Sequence, residues 1–300
     1  MDKKISNFEQ TAYVRRYVLT EGKAAGLKVT EVYNGNLRFM LNESKALDIM
    51  QLWYKGENVS FLSKNGFSTK NEGFSERFEG GMIYTCGLDS IGAREGFAVH
   101  GSIHNTPAKV VACFSDEKEI KVVAEIENTE LFGKDLMLKR EISTEIGSDK
   151  LCLKDTLINK GTKTEKYCLL YHCNLGYPML DESVTIDYDG RTIVSRTKYS
   201  ETRLSECKRF SAPVDNEEER CFFIENDCPT VTVKNNNSGR VFTLSYSVST
   251  LPKMILWQSG ASHDYALGIE PATSFLDDKF KYNEIKPNEK IEFKVQLSLK

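Results

Sequence analysis

The segment Ile120-Lys121-Val122-Val123-Ala124-Glu125-Ile126 places Ile, Val, Ala and Ile at every second position. A period of two puts alternate side chains on opposite faces of a β-strand, so this segment predicts a strand with one buried and one exposed face. Leu136 to Ile142 and Leu151 to Ile158 repeat the pattern. Three such segments in succession indicate an antiparallel sheet.

Similar segments occur along the whole chain and predict an all-β protein, because they are rich in Val, Ile, Thr, Tyr and Phe. Helical periodicity is confined to a turn or two around Lys45 to Met50. The other predicted strands are Leu27 to Val32, Leu37 to Leu41, Val110 to Phe114, Tyr167 to His172, Val184 to Tyr188, Val231 to Lys234, Phe242 to Val248 and Ile291 to Leu299. One open sheet of this size would leave an apolar face in water, so we expect a large antiparallel β-sandwich.

The chain shows no fixed repeat and no linker of Ser, Gly and Pro, so residues 1–300 are expected to form a single domain. The most polar stretch, Asp215 to Arg220, is predicted to be an exposed loop. A large sandwich offers a concave face framed by loops, where a ligand is expected to bind.

Composition and charge limit the classes of partner that this chain is expected to bind. The net charge is −3 with both signs interspersed, and no basic cluster indicates binding to nucleic acid or to an anionic membrane. Neither a signal peptide in Met1 to Asn7 nor a membrane-spanning apolar run is visible, so a cytoplasmic protein is expected. The eight cysteines form no C-x-x-C pair and are predicted to be reduced. The sequence does not indicate an oligomeric state.

Two strand ends combine apolar surroundings with titratable side chains. Tyr167 to His172 is followed by Asn174, which shares a face with His172 if the strand stays extended. Glu270 lies inside the apolar segment Tyr265 to Thr273, and Pro271 predicts that the strand ends at Glu270. A histidine and a desolvated carboxylate are suited to proton transfer, and the alternative interpretation of each is a structural role.

A third segment, Gly96 to Ala108, contains His100 and His104. Gly101 and the following Asn105-Thr106-Pro107 argue against a helix, so a metal site on one helical face is not expected. His100 is predicted to approach a ligand closely, and His104 to hydrogen-bond only locally. Trp257 is a candidate surface for stacking on a sugar ring.

The chain resembles the galactose mutarotase-like supersandwich proteins, in particular the aldose 1-epimerase-related group once known only as a domain of unknown function. The resemblance depends on the order and spacing of short motifs between about residues 30 and 275. These motifs are Lys45-Ala46-Leu47-Asp48-Ile49, Phe78-Glu79-Gly80-Gly81-Met82, Thr85-Cys86-Gly87-Leu88, His100-Gly101, Pro107-Ala108, Tyr171-His172-Cys173-Asn174-Leu175-Gly176-Tyr177-Pro178 and Leu267-Gly268-Ile269-Glu270-Pro271-Ala272-Thr273.

The resemblance implies a large antiparallel β-supersandwich and an enzyme that interconverts the anomers of a small carbohydrate. It implies that Glu270 removes the proton of the C1 hydroxyl and that His172 protonates the ring oxygen, which His100 helps to hold. No cofactor is implied. The substrate contacts expected on this basis are Asn174, Lys45, Asp48, Arg94 and Trp257.

Some positions depart from the group. Its members typically have arginine where this chain has Lys45, and often at Ser102, so a bidentate guanidinium contact is expected to be missing. Asp48 and Asp264 are alternative candidates for the aspartate that binds sugar hydroxyls. Arg77 and Arg94 are candidates for binding an anionic sugar.

Three alternative functions remain open at this point. They are another sugar-active enzyme on the same fold, such as a lyase or isomerase; a sugar-phosphate epimerase; and a non-catalytic carbohydrate-binding protein.

Overall fold

The first of two sheets is formed by the amino-terminal part of the chain. A computed structural model describes residues 3–70 and 73–300. The five strands pair in sequence order, each antiparallel to the next. They are β1 (Tyr13–Val18), β2 (Lys28–Tyr33), β3 (Leu37–Asn42), β4 (Asp48–Tyr54) and β5 (Glu57–Asn58).

The second sheet has thirteen strands in the described part of the chain. They are β6 (Tyr84–Leu88), β7 (Lys109–Ser115), β8 (Glu119–Thr129), β9 (Asp135–Glu145), β10 (Lys150–Asn159), β11 (Glu165–Leu175), β12 (Val184–Ser195), β13 (Arg220–Asn235), β14 (Val241–Tyr246), β15 (Lys253–Ser259), β16 (Ala266–Ala272), β17 (Asn283–Ile285) and β18 (Lys290–Leu299). Their order is β17-β11-β16-β15-β13-β14-β18-β10-β9-β8-β7, with β12 beside β13 and β6 beside β11.

Helices are short. The α-helices are α1 (Phe74–Arg77) and α2 (Lys198–Thr202), and 3₁₀ turns span Phe8–Gln10, Gly22–Ala24, Ile103–Asn105, Leu204–Glu206 and Asp277–Lys279. Within residues 3–70 and 73–300, no helix has the length and apolar character needed to cross a bilayer. The all-β prediction and the antiparallel supersandwich are confirmed.

The main core contains side chains from both sheets. The segment that begins at Ile120 alternates as predicted: Ile120, Val122, Ala124 and Ile126 are buried, and they join Phe39 of β3 in one cluster. A smaller cluster, formed by residues such as Cys86, Leu170, Phe223 and Ala272, lies on the opposite face of β6, β11, β13 and β16. These strands are therefore covered on both faces, which explains why their sequences are apolar throughout.

A buried ionic network joins the two sheets. Arg140 of β9 donates from Nε and Nη2 to the two carboxylate oxygens of Asp155 on β10, at 2.9 and 2.6 Å, and from Nη1 to Asp48 of β4. Tyr171 donates to Asp155 at 2.7 Å, and Thr85 donates to Asp48. Tyr171 precedes His172 and Thr85 lies on the neighbouring strand, so the network fixes the strand that carries His172.

Two local expectations differ from the structure. The turn or two of helical periodicity around Lys45 to Met50 forms a turn followed by β4, because Ala46 and Leu47 have φ values of 49° and 55° and point their side chains into the core. The strand predicted to end at Glu270 continues to Ala272, which pairs with Lys253. Pro271 removes one donor but has a φ that a strand can accommodate.

The polar stretch Asp215 to Arg220 is exposed as predicted at Asp215, Asn216, Glu218 and Glu219, whereas Arg220 is buried and begins β13. Seven cysteines are free thiols; the side chain of Cys228 lies outside the described residues.

Candidate active site

A cavity of about 450 Å³ lies on the face of the large sheet that is opposite the main core. Three neighbouring strands, β11, β16 and β15, contribute His172, Glu270 and Trp257 to its lining. Loop residues such as Phe74 and His100 complete the wall. Its volume is in the range typical of small-molecule sites.

Strand register explains why these side chains meet. The pairing of Cys173 with Ile269 places His172 beside Glu270, and alternation turns both away from the main core, which Cys173 and Ile269 face. Gly268 leaves the space that the pair needs. A Cβ atom at Gly268 would lie 2.7 Å from Oε1 of Glu270 and 3.0 Å from Cε1 of His172.

His172 and Glu270 are in direct contact. Nε2 of His172 lies 3.0 Å from Oε1 of Glu270, and the two side chains are 6% and 4% exposed. The two atoms are within hydrogen-bond distance, but Oε1 of Glu270 makes no hydrogen bond with a described residue in this geometry, so a direct proton transfer requires the side chains to realign.

Burial determines the protonation of the pair. Desolvation, aided by the charge of Glu219 and opposed by Arg196, raises the pKa of Glu270 well above its ordinary value. Desolvation also lowers the pKa of His172 to about 3, with a further contribution from His100. Burial therefore favours the neutral carboxylic acid at Glu270 and the neutral imidazole at His172.

His100 is held in a single orientation. Its Nδ1 lies 2.9 Å from the carbonyl oxygen of Ile91, and desolvation lowers its pKa to about 4. Because a carbonyl oxygen only accepts hydrogen bonds, Nδ1 of the neutral ring is the donor and Nε2 is an acceptor. The ring lies edge-on to His172, with centroids 5.6 Å apart.

Four predicted substrate contacts do not line the cavity. Lys45 is buried in an ion pair with Glu79, and Asp48 belongs to the network around Arg140. Asn174 donates to the carbonyl oxygens of Gly81 and His172, both at 3.0 Å. Arg94 packs 4.1 Å from the Phe280 ring centroid and donates to Tyr282 at 2.7 Å. Each of these four side chains contacts other residues of the protein and does not face the cavity.

Two further candidate residues, Arg77 and His104, lie outside the lining of the cavity. Arg77 is buried at the end of α1 and does not line the cavity. His104, predicted to bond only locally, contacts Asp48 at 2.6 Å across 56 residues of sequence, and its ring stacks on Tyr84. The spacing of His100 and His104 therefore does not reflect a shared site.

Of the two candidate aspartates, Asp264 lines the cavity and pairs with Lys64 at 2.7 Å. Two other residues of the lining are not predicted from the sequence. Arg196 binds Asp277 through Nε and Nη2, at 2.7 and 3.0 Å, and Glu219 lies in the stretch that is predicted to be an exposed loop. Arg196 and Glu219 are remote in sequence and their segments contain no recognisable motif, so only the fold brings them together.

Solved structures share this architecture. A protein from Klebsiella pneumoniae that is provisionally described as an aldose 1-epimerase is 20% identical, with a TM-score of 0.85 over 95% of this chain and 83% of its own. A galactose mutarotase-like protein from Clostridium acetobutylicum is 14% identical, with a TM-score of 0.71 over 97% and 99% of the two chains. A galactose mutarotase related enzyme from Lactobacillus acidophilus is 11% identical, with a TM-score of 0.66 over 91% and 97%.

At these identities the likeness establishes the fold, which is galactose mutarotase-like. The search of curated proteins found no match. A family model described as a domain of unknown function, DUF4432, matches residues 24–298. Since this match covers nearly the whole sequence, the chain belongs to the DUF4432 family.

Proposed function

We propose that this protein is an isomerase of the aldose 1-epimerase type, which interconverts the anomers of a free aldose or a simple derivative. The observation that carries the proposal is the 3.0 Å contact between His172 and Glu270 in the wall of the cavity. Anomer exchange needs one group that removes a proton and one that supplies it, and a buried acid/base pair meets both needs.

The steps of the proposed reaction follow from where each proton starts and ends. The proton on Glu270 passes to Nε2 of His172, which leaves a carboxylate facing the substrate. Glu270 then takes the proton of the C1 hydroxyl while His172 protonates the ring oxygen. The C1–O bond of the ring breaks and the C1 carbonyl forms. After the C1 group rotates, the reverse steps close the ring, so no proton is gained or lost overall.

We assign His100 a chemical role that differs from the one that the resemblance implied. With Nδ1 directed at the carbonyl oxygen of Ile91, its Nε2 accepts a hydrogen bond instead of donating one to the ring oxygen. We assign it to a substrate hydroxyl. Trp257 offers an aromatic surface in the same wall. We place the reaction in the cytoplasm, where the seven described thiols would stay reduced.

Saturation-transfer NMR on a panel of aldoses tests the proposal. We expect the wild-type protein to accelerate anomer exchange of at least one sugar. Glu270→Gln and His172→Gln should each slow this exchange by about 10²- to 10⁴-fold, the usual contribution of a general acid or base. Glu218→Gln is the matched control, because Glu218 is exposed and does not line the cavity.

Other outcomes would contradict the proposal. Sugar binding without acceleration of exchange would indicate a carbohydrate-binding protein. A new unsaturated or keto product would indicate a lyase or another isomerase on this fold. Acceleration that survives Glu270→Gln would show that the acid/base pair is not the source of the activity.

A further inference from the structure

Glu219 and Trp257 form a hydrogen-bonded pair in the cavity wall. The indole Nε1 of Trp257 donates to Oε2 of Glu219 at 2.8 Å, and both residues line the cavity. Glu219 immediately precedes β13, where Cys221 pairs with Trp257 of β15. The carboxylate is exposed, whereas the indole is half-buried.

The indole in turn contacts His172. Their ring centroids are 5.4 Å apart at an interplanar angle of 65°. Phe78 and His100 contact the same imidazole, with centroids 5.7 and 5.6 Å away. His172 is therefore surrounded by three rings, and Trp257 is the one anchored to a carboxylate.

We propose that Glu219 is a positioning residue: by fixing the indole of Trp257, it holds the His172 imidazole in the orientation that contacts Glu270. The effect on turnover rests on the proposed function, whereas the effects on Trp257 and His172 do not. A proton transfer depends on the placement of the donor and acceptor to within about an ångström, so a wall residue that fixes one of them affects the rate without touching the substrate.

The charge of Glu219 has a second effect at the same site. It raises the pKa of Glu270, and Arg196 opposes it. The other titratable groups that interact with Glu270 are His172 and the thiols Cys86, Cys173 and Cys221, and the pKa of each thiol is raised by burial. Because those thiols are neutral, the contribution of charged neighbours to the pKa of Glu270, which is smaller than that of desolvation, comes mainly from Glu219 and Arg196. Removing the negative charge of Glu219 should lower the pKa of Glu270.

Two substitutions separate geometry from charge. Glu219→Gln keeps an oxygen that accepts from Trp257 and removes the charge, whereas Glu219→Ala removes both. Glu218→Gln makes the same charge change one residue away. A Trp53→Phe background leaves Trp257 as the sole tryptophan, because the chain has two. With four histidines in the chain, the NMR signal of His172 can be assigned from a His172→Gln variant.

We expect Glu219→Ala to increase the quenching of Trp257 fluorescence by acrylamide, to shift the Hε1 signal of His172, and to lower kcat by about 10- to 100-fold. Glu219→Gln should restore the fluorescence and the NMR signal, and should move the pH profile of kcat/KM to lower pH.

Three results would overturn the inference. The first is a Glu219→Ala variant with the Trp257 fluorescence and the His172 signal of the wild type, and the second is a Glu218→Gln variant with effects as large as those of Glu219→Ala. The third is a Glu219→Ala variant with a higher KM and an unchanged kcat, which would indicate that Glu219 contacts the substrate directly. If the wild-type protein accelerates no anomer exchange, the proposed function fails, but the fluorescence and NMR measurements still decide whether Glu219 positions His172.

Discussion

At the scale of single residues, desolvation is the main influence on the acid/base pair. Burial favours the neutral form of each group, which raises the pKa of Glu270 and lowers that of His172. Among the residues that the structure describes, no strong opposite charge contacts either side chain and reverses this effect. Their proton states are therefore set by the surrounding apolar wall.

This desolvation makes stability depend on pH. Because the pKa of Glu270 is higher in the folded than in the unfolded protein, its contribution is fully present below the unfolded value near 4.5 and is lost as pH rises through the folded value. Glutamine has no such dependence. Glu270→Gln should therefore be more stable relative to wild type at pH 8 than at pH 5.

Thermal unfolding at the two pH values measures this difference. Glu218→Gln is the control, because the carboxylate that it replaces is exposed. An equal difference in Tm between wild type and Glu270→Gln at both pH values would mean that Glu270 is charged in the folded protein.

At the scale of elements, Glu270 can take its place on β16 because Gly268, two residues earlier on the same face, has no side chain. Both lie on the face of β16 that is turned away from the main core, and the cross-strand neighbours of Gly268 are Asn174 on β11 and Trp257 on β15. The absence of a side chain at Gly268 lets the carboxylate and the imidazole approach each other.

We expect Gly268→Ala to lower kcat by about a hundredfold, because the new Cβ would displace the Glu270 carboxylate or the His172 ring. The kinetics of anomer exchange measure the loss, and circular dichroism should show the same strand content. Gly161→Ala is the control: Gly161 lies between β10 and β11, and its new Cβ would meet only the Asn159 side chain below 3.4 Å. Unchanged kcat in Gly268→Ala would show that the contact adjusts without cost.

At the scale of the whole molecule, the network around Arg140 joins the five-stranded sheet to the large one. Its guanidinium is fully buried between Asp48 and Asp155. A buried charge that loses its partner is strongly destabilising, whereas intact networks contribute less than their geometry suggests.

Arg140→Met should lower the free energy of unfolding by about 3–5 kcal/mol, because it leaves two buried carboxylates without their cation. Urea denaturation measures this change. Lys139→Met is the matched control on the exposed face of β9 and should change stability by less than about 0.5 kcal/mol. A loss below about 1 kcal/mol in Arg140→Met would show that water or other donors replace the guanidinium.

The sequence by itself determined the all-β class and the faces on which His172 and Glu270 lie, because alternation is a local property of extended chain. The tertiary structure alone decided which of the polar residues reach the cavity. Asp48 and Lys45 are near recognisable motifs but are buried in ion pairs. Glu219, in a loop without a motif, reaches the wall because β13 pairs with β15. Strand pairing between distant segments sets these positions, and no local pattern encodes it.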